Sequence, residues 1–411
     1  MQQSPPDGSI WYIVKGWPRT SETFIANDLL GLEGEGLTGT IITLGMMKND
    51  GNDVNRKCVS PVYEIETRIL PIIGKIIRRG QIFLLFRFIA LLISSLLTFG
   101  RRIDLENLRP WFQGLSLAAS GFPKPQHVHS FFLSEPATVA SVYAKLCGVT
   151  WSTSSHAKDI YMTSTEEIRQ KARQALWICT CTNDNRDYLN CLLDQTPSTS
   201  KVHFIPHGIS ETFFCSQVCK KPDEKLVRLI SVGRVVPKKG YDILLRALNS
   251  LDTDADWSFT HIGASAAVMA SLVEASVTTT EVRKRIVVAG PLEQKEVQRM
   301  LALSDIFVLP CRADGQDKDG RPNAIMEAQS MGLCVISTRF SAIPELIDDE
   351  VDGLLVSPGE VDELKDCLKR AMNDLELRQR LGSAAARKAS VAYRIRTNTA
   401  PLRELLVAAV S

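Results

Sequence analysis

The sequence predicts an α/β protein built as two doubly wound lobes with a cleft between them, and three observations carry that prediction. The chain is 411 residues long, more than one ordinary hydrophobic core serves. Short apolar runs alternate with stretches of helical period through both halves. A polar stretch from Ser216 to Lys225 breaks the alternation midway and is the natural linker. Sheets of this kind bind ligands outside the carboxyl ends of their strands, so the chemistry is sought there.

In the first half, Ile10-Trp11-Tyr12-Ile13-Val14 reads as a strand and Gly16 to Thr20 as the loop after it. Ser21, Glu22 and Thr23 open a helical pattern, Phe24 to Leu32, and the two hydroxyls suit the capping of its first turn. Thr40 to Leu44 and His127 to Ser130 are further strands, followed by a helix, Pro136 to Leu146, and a strand, Val149 to Ser154. In the second half the strands are Leu229 to Val232, Trp257 to Ile262, Ile286 to Ala289, Ile306 to Leu309 and Cys334 to Ser337. Helices are expected at Tyr241 to Leu251, Glu293 to Ala302, Pro322 to Met331 and Val361 to Asn373. Near-continuous apolar strands between amphipathic helices argue for parallel sheets covered on both faces. The expected domains are 1–215 and 226–390, with 391–411 a C-terminal helix packing back toward the first lobe.

The most apolar stretch is Ile82 to Phe99, flanked by Lys75, Arg78, Arg79, Arg101 and Arg102 and interrupted by Arg87. Its 18 residues reach only the lower limit for spanning a bilayer. It reads either as a buried core helix or as a membrane-surface element, and the basic flanks point to peripheral contact with a membrane.

Composition narrows the function. A formal charge of +2 lacks the basic surplus that a binder relying on phosphate neutralisation needs, so nucleic acid is not an expected partner. The 10 cysteines lie mostly in apolar runs, as small buried hydrophobes do. Cys179, Cys181 and Cys191, or Cys215 and Cys219, lack the paired C-x2-C or H-x3-H spacing of a zinc site. No metal or other cofactor is expected, and the reading is of a reduced, cytoplasmic chain. The polar, Pro-rich start, Met1 to Gly8, does not read as a signal peptide.

Two segments carry chemistry. Ser231-Val232-Gly233-Arg234-Val235-Val236-Pro237-Lys238-Lys239-Gly240 runs from a strand end through a tight turn to a helix start. A helix start offers unpaired N–H groups and a positive dipole end, and Arg234 and Lys239 add a planar fork and a point charge suited to a diphosphate. Standing alone, the segment also reads as a solvated basic turn. The second segment is an acidic glycine loop, Asp314 to Pro322, entered from the strand Ile306 to Leu309. Pro322 is placed like a first-turn helix residue, followed by Asn323 and Ala324 and, one turn on, Glu327. Asp319 before the helix and Glu327 within it can accept hydrogen bonds from the hydroxyls of a sugar or ribose. Aligning Gly320 with the glycine of a calcium loop puts Gly315 and Met326 at ligand positions, so that reading fails.

Together these motifs resemble the retaining glycosyltransferase family 4, whose fold is called GT-B. Arg234 and Lys239 match the family's strand-G-R-x4-K-G segment, and Asp319 and Glu327 its acid-x7-Glu motif. Ile336-Ser337-Thr338 and Ile343-Pro344-Glu345 match the strand and turn downstream, and His207-Gly208-Ile209 the turn before the linker. Lys15 to Phe24 and Ser155 to Tyr161 are similar to exopolysaccharide enzymes of the colanic-acid type. The resemblance covers the chain except Asn52 to Pro125. It implies a nucleotide-sugar donor, UDP- or GDP-linked, held by Gly233, Arg234, Lys239, Asp319, Gly320, Pro322, Asn323, Ala324 and Glu327. It implies a saccharide or lipid-linked saccharide acceptor near Arg19, Ser21, Glu22, Thr23, Lys158 and Asp159. His156, Arg234, Lys239, Asp319 and Glu327 would carry catalysis. His156 taken alone reads as a structural hydrogen-bonder, and the motif match moves it to the lining of the site. His127 and His129 read as structural or cleft-lining.

The chain departs from the family pattern at three places: Asp319 stands for a glutamate, Ala342 for a glycine, and Gly263-Ala264-Ser265 for a Gly-Asp-Gly turn. Two competing readings follow, a nucleotide-sugar epimerase of the same fold and a catalytically inactive sugar-nucleotide-binding scaffold at the membrane.

Overall fold

A computed structural model describes the chain except residues 1–9, 20–21, 47–52, 100–104, 195, 197–198, 216–225, 254, 264–265 and 316–319. It divides into two compact units. The first comprises residues 1–181, 185–205 and 399–411, and the second residues 182–184 and 206–398.

The strands of the first unit are β1 (Ile10–Val14), β2 (Thr40–Thr43), β3 (Val62–Glu64), β4 (His127–Ser130), β5 (Thr150–Ser155), β6 (Ile178–Thr180) and β7 (Val202–Phe204). They form one sheet in the order β3-β2-β1-β4-β5-β6-β7, every pair parallel. Alternation along β1 feeds two cores. Trp11 and Ile13 pack with Ala137, Ala140 and Tyr143 of the helix Glu135–Cys147 on one face. Ile10, Tyr12 and Val14 pack with Ile25 and Leu29 of the helix Thr23–Gly34 on the other. Leu402 and Leu406 of the helix Ile395–Val410 are buried in that second core. Each adds roughly 2 kcal/mol of apolar burial.

Polar side chains on the buried strands bond to one another. His127 meets Thr150 Oγ1 (2.8 Å) and Ser152 Oγ (2.7 Å), and His129 meets Ser152 Oγ and Ser154 Oγ, both at 2.9 Å. Parallel β4 and β5 put these residues in register on one face. Burial lowers His127 to about 4 and His129 well below its ordinary value, so both are neutral and structural.

The second unit holds β8 (Leu226–Val232), β9 (Asp256–Ile262), β10 (Ile286–Gly290), β11 (Ile306–Leu309), β12 (Cys334–Thr338) and β13 (Leu354–Val356). Their order is β10-β9-β8-β11-β12-β13, again all parallel. The doubly wound α/β class is observed in both units.

Several expectations are corrected in detail. The boundary falls between Ile205 and Pro206, not after Cys215, because Ile209 and Phe213 are buried in the second unit's core and the Ile209 N–H donates to the Tyr393 carbonyl at 2.9 Å. The expected linker, 216–225, lies outside the described residues. Glu22 takes the cap position of the helix Thr23–Gly34 and makes no side-chain cap bond. Ser21 is outside the described residues.

Candidate active site

In the second unit the strand order reverses between β8 and β11: the chain moves outward from β8 through β9 to β10, then returns to β11 on β8's other side. Loops diverging at such a switch point leave a crevice at the carboxyl ends of the two strands. The basic turn leaves β8 there and the acidic glycine loop leaves β11 there, so the two candidate segments sit on neighbouring strands.

The basic turn is tightly built. Residues Pro237–Lys239 form a single 3-10 turn, and the helix Tyr241–Asn249 starts directly after Gly240. Gly240 has a φ of 68°, and a Cβ there would meet the Pro310 carbonyl at 2.0 Å, so the turn after β8 lies against the turn after β11. Arg312 fastens the two: its N–H donates to the Lys238 carbonyl (2.9 Å), its Nε to the Pro237 carbonyl (3.2 Å), and it pairs with Asp242 at 3.0 Å. At Gly233 a side chain would collide with the Tyr241 hydroxyl at 2.8 Å, and Lys239 Cε lies 3.8 Å from the same point. Lys239 therefore folds back over Gly233, half-buried, while Arg234 is exposed.

His261, at the end of β9, faces the same glycine. Its Nε2 meets the Gly233 carbonyl at 3.0 Å, and since a carbonyl only accepts, Nε2 carries the proton. Burial lowers His261 to about 4, so it is a neutral donor that fixes the peptide from which the turn begins. Neither Arg312 nor His261 is found by motif reading. An arginine three residues past a strand end, and a histidine one residue before a strand end, are the signals that mark them.

The helix after the acidic loop is Asn323–Ser330. Pro322 stands one place earlier than expected, at the cap with ψ 112°, because its backbone is still extended; its carbonyl accepts from the Ile325 N–H at 3.0 Å. Gly320, Asn323 and Ala324 are half-buried around it. Asp319 lies outside the described residues. Glu327 is one turn into the helix, and burial pushes its carboxyl up to about 7.

In the first unit the order reverses between β1 and β4. Lys15, just past β1, pairs with Glu135 at 3.3 Å, an exposed contact of little energetic weight. Arg19 and Glu22 are paired with each other at 2.6 Å, and Thr23 begins the adjacent helix. His156 caps the short helix Ala157–Met162 after β5, its ring 4.6 Å from that of Phe24 and 5.1 Å from that of Phe132. Lys158 is exposed.

Asp159 has a different task from the acceptor contact expected of it. It is buried, with one carboxylate oxygen accepting from the His156 N–H at 2.7 Å and the other from the Leu133 N–H. Lys171, also buried, donates to the Leu133 and Ser134 carbonyls at 2.7 and 2.8 Å. The two side chains pin the loop after β4 by opposite ends of its peptides. We expect Asp159→Ala to lower the unfolding free energy by about 3 kcal/mol, two charge-assisted bonds being lost. Acceptor KM in the folded fraction should stay unchanged. Thermal melts beside steady-state kinetics check both, and a raised KM at unchanged stability would return Asp159 to the acceptor.

Residues 227–374 match the family profile described as Glycosyl transferases group 1. The second unit carries a group 1 glycosyl transferase domain. AmsK of Erwinia amylovora, an amylovoran biosynthesis glycosyltransferase, is 33% identical over 147 residues, 35% of this chain and 35% of that protein. WcaL of Escherichia coli, a putative colanic acid biosynthesis glycosyltransferase, is 31% identical over 189 residues, 41% of this chain and 45% of that protein. The matches thus span less than half the length of these relatives. HepE of Anabaena, solved in complex with UDP, superposes with a TM-score of 0.71 over 97% of this chain and 100% of its own at 14% identity, a likeness of fold. The GT-B class of paired Rossmann-like units is the one this chain shares. The group 1 domain contains both candidate donor segments, Gly233–Lys239 and Gly320–Glu327.

Proposed function

We propose that the chain is a retaining glycosyltransferase that moves a sugar from a UDP- or GDP-linked donor to a saccharide or lipid-linked saccharide acceptor at the inner face of the plasma membrane, in the assembly of an exopolysaccharide. The observation that carries the reading is the basic turn, with Lys239 folded over Gly233 at the switch point of the group 1 domain. When the glycosidic bond breaks, negative charge collects on the departing diphosphate and positive charge on the sugar ring. Arg234, Lys239 and the helix start behind Gly240 oppose that developing charge. Glu327 accepts from a donor hydroxyl. No separate general base is assigned: in retaining transfer on one face of the sugar, the leaving phosphate takes the acceptor proton. No metal is given a role.

The test is a thermal-shift screen of the full chain against UDP- and GDP-sugars, followed by product analysis with the stabilising donor and candidate acceptors. Stabilisation by one donor and a glycosylated acceptor are expected, since a bound ligand raises apparent stability by mass action. A donor isomerised without any acceptor would make the chain an epimerase. Stabilisation without turnover would make it a binding scaffold.

A further inference from the structure

Between Glu66 and Asp104 the sequence runs for 37 residues without a carboxylate while placing seven cations, Arg68, Lys75, Arg78, Arg79, Arg87, Arg101 and Arg102. The described part of this stretch contains two helices, Ile69–Arg78 and Ile82–Phe99. Their inner stripe is a satellite core: Ile72, Ile76 and Phe88 are buried against Leu115, Ala119, Val142 and Leu146. The expected choice between core and surface helix therefore resolves as both, one face each.

The outer face is apolar as well. Ile82, Phe86, Ile89 and Ile93 recur at helical spacing and all are exposed, with Phe83 beside them at 76% and Leu70 on the other helix at 82%. Water leaves such a patch unpaid for, and monomeric proteins seldom keep one that has no purpose. Cations border it. Arg78 donates to the Gly74 carbonyl (3.2 Å), Arg79 to the Ala119 carbonyl (3.0 Å) and Arg87 to the Lys145 carbonyl (3.1 Å). Each bond orients a guanidinium without cancelling its charge, and among the described residues no carboxylate pairs with these three.

We infer that these two helices form a docking surface for an anionic lipid bilayer, with Phe83, Phe86 and Leu70 entering the acyl boundary and Lys75, Arg78 and Arg87 meeting headgroup phosphates. Charge decides the occupant: a second copy of this face would bring its own excess of cations against the first, with no acid to answer them. Depth is limited too. No helix among the described residues is long and apolar enough to cross a membrane, and Arg87 sits a third of the way along the second helix. The surface belongs to the first unit and is argued without reference to sugar transfer, so either reading can fail alone.

The experiment is flotation of the full chain with neutral phosphatidylcholine vesicles and with vesicles containing phosphatidylglycerol, at low and high salt. Binding to the anionic vesicles that weakens with salt is expected. Phe83→Ser with Phe86→Ser, both exposed, should lower that binding at least about tenfold without altering the fold or transfer to a soluble acceptor. Lys75→Gln with Arg78→Gln should lower it by about fivefold per charge and leave binding to neutral vesicles unchanged. Wild-type protein that ignores anionic vesicles, or a double-Ser chain that binds them as wild type does, overturns the inference. So does a wild-type dimer that the double-Ser change renders monomeric with vesicle binding absent throughout, which gives the face to a second copy.

Discussion

Lys239→Ala should reduce transfer by about 10²- to 10³-fold and leave the fold intact, with Arg234→Ala close behind. The magnitude follows from removing one pre-placed cation from a site where charge develops as the bond breaks, about 2.7–4 kcal/mol in comparable sites. The fold is spared because Arg234 is exposed and Lys239 is only half-buried. Lys238 supplies the contrast. Its side chain is buried, and Lys238→Ala should appear first as a loss of stability. With Arg234 and Lys239 proposed to act on one diphosphate, their joint removal should cost less than the product of the single losses. Arg234→Lys should restore little, since an ammonium cannot grip two phosphate oxygens as a fork does. Kinetics at saturating and limiting donor, with circular-dichroism melts, read all of this. A double-alanine chain that turns over donor at the wild-type rate ends the diphosphate assignment.

The frame of both units was legible in the sequence where strands are apolar on both faces. β1 and β11 have their expected bounds because every residue in them is buried, which leaves no polar position to blur the ends. The three-residue strands β3, β6, β7 and β13 were not legible: so short a run shows no period, and only the neighbouring strand makes it a strand. Side-chain duties were less visible than positions. A carboxylate three residues after His156 looks the same in sequence whether it meets a ligand or caps a helix, and the partner that decides, the Leu133 N–H, is 26 residues away. Arg312 and His261 escaped for the same reason, since each acts on backbone contributed by another strand's loop. The placement of Arg234 and Lys239 on one turn after β8 was readable because their spacing is local.

Glu327→Gln should stabilise the chain at pH 8 while weakening its hold on the donor. Burial pushes the Glu327 carboxyl from its ordinary 4.5 up to about 7 in the folded state, so the folded chain binds this proton more tightly than the unfolded one. Its contribution to stability is therefore complete below pH 4.5, declines as pH rises toward 7 and is gone above it, a difference of at most about 3 kcal/mol. Glutamine, neutral throughout, should remove that decline, and urea titrations at pH 5 and pH 8 would show it. Identical pH dependence in the two chains would mean the carboxylate is solvated after all. Function should run the other way. A carboxylate accepts two hydroxyls where an amide oxygen accepts less strongly, so donor affinity should fall in the variant and lose the acidic limb that the wild type shows near pH 7. Donor hydroxyls directed at Glu327 favour its ionised form, so donor binding near pH 6.5 should release a proton in the wild type and none in Glu327→Gln. Calorimetry in two buffers of different ionisation enthalpy measures that proton directly, and its absence from the wild type would remove Glu327 from the donor site however stable the variant proved.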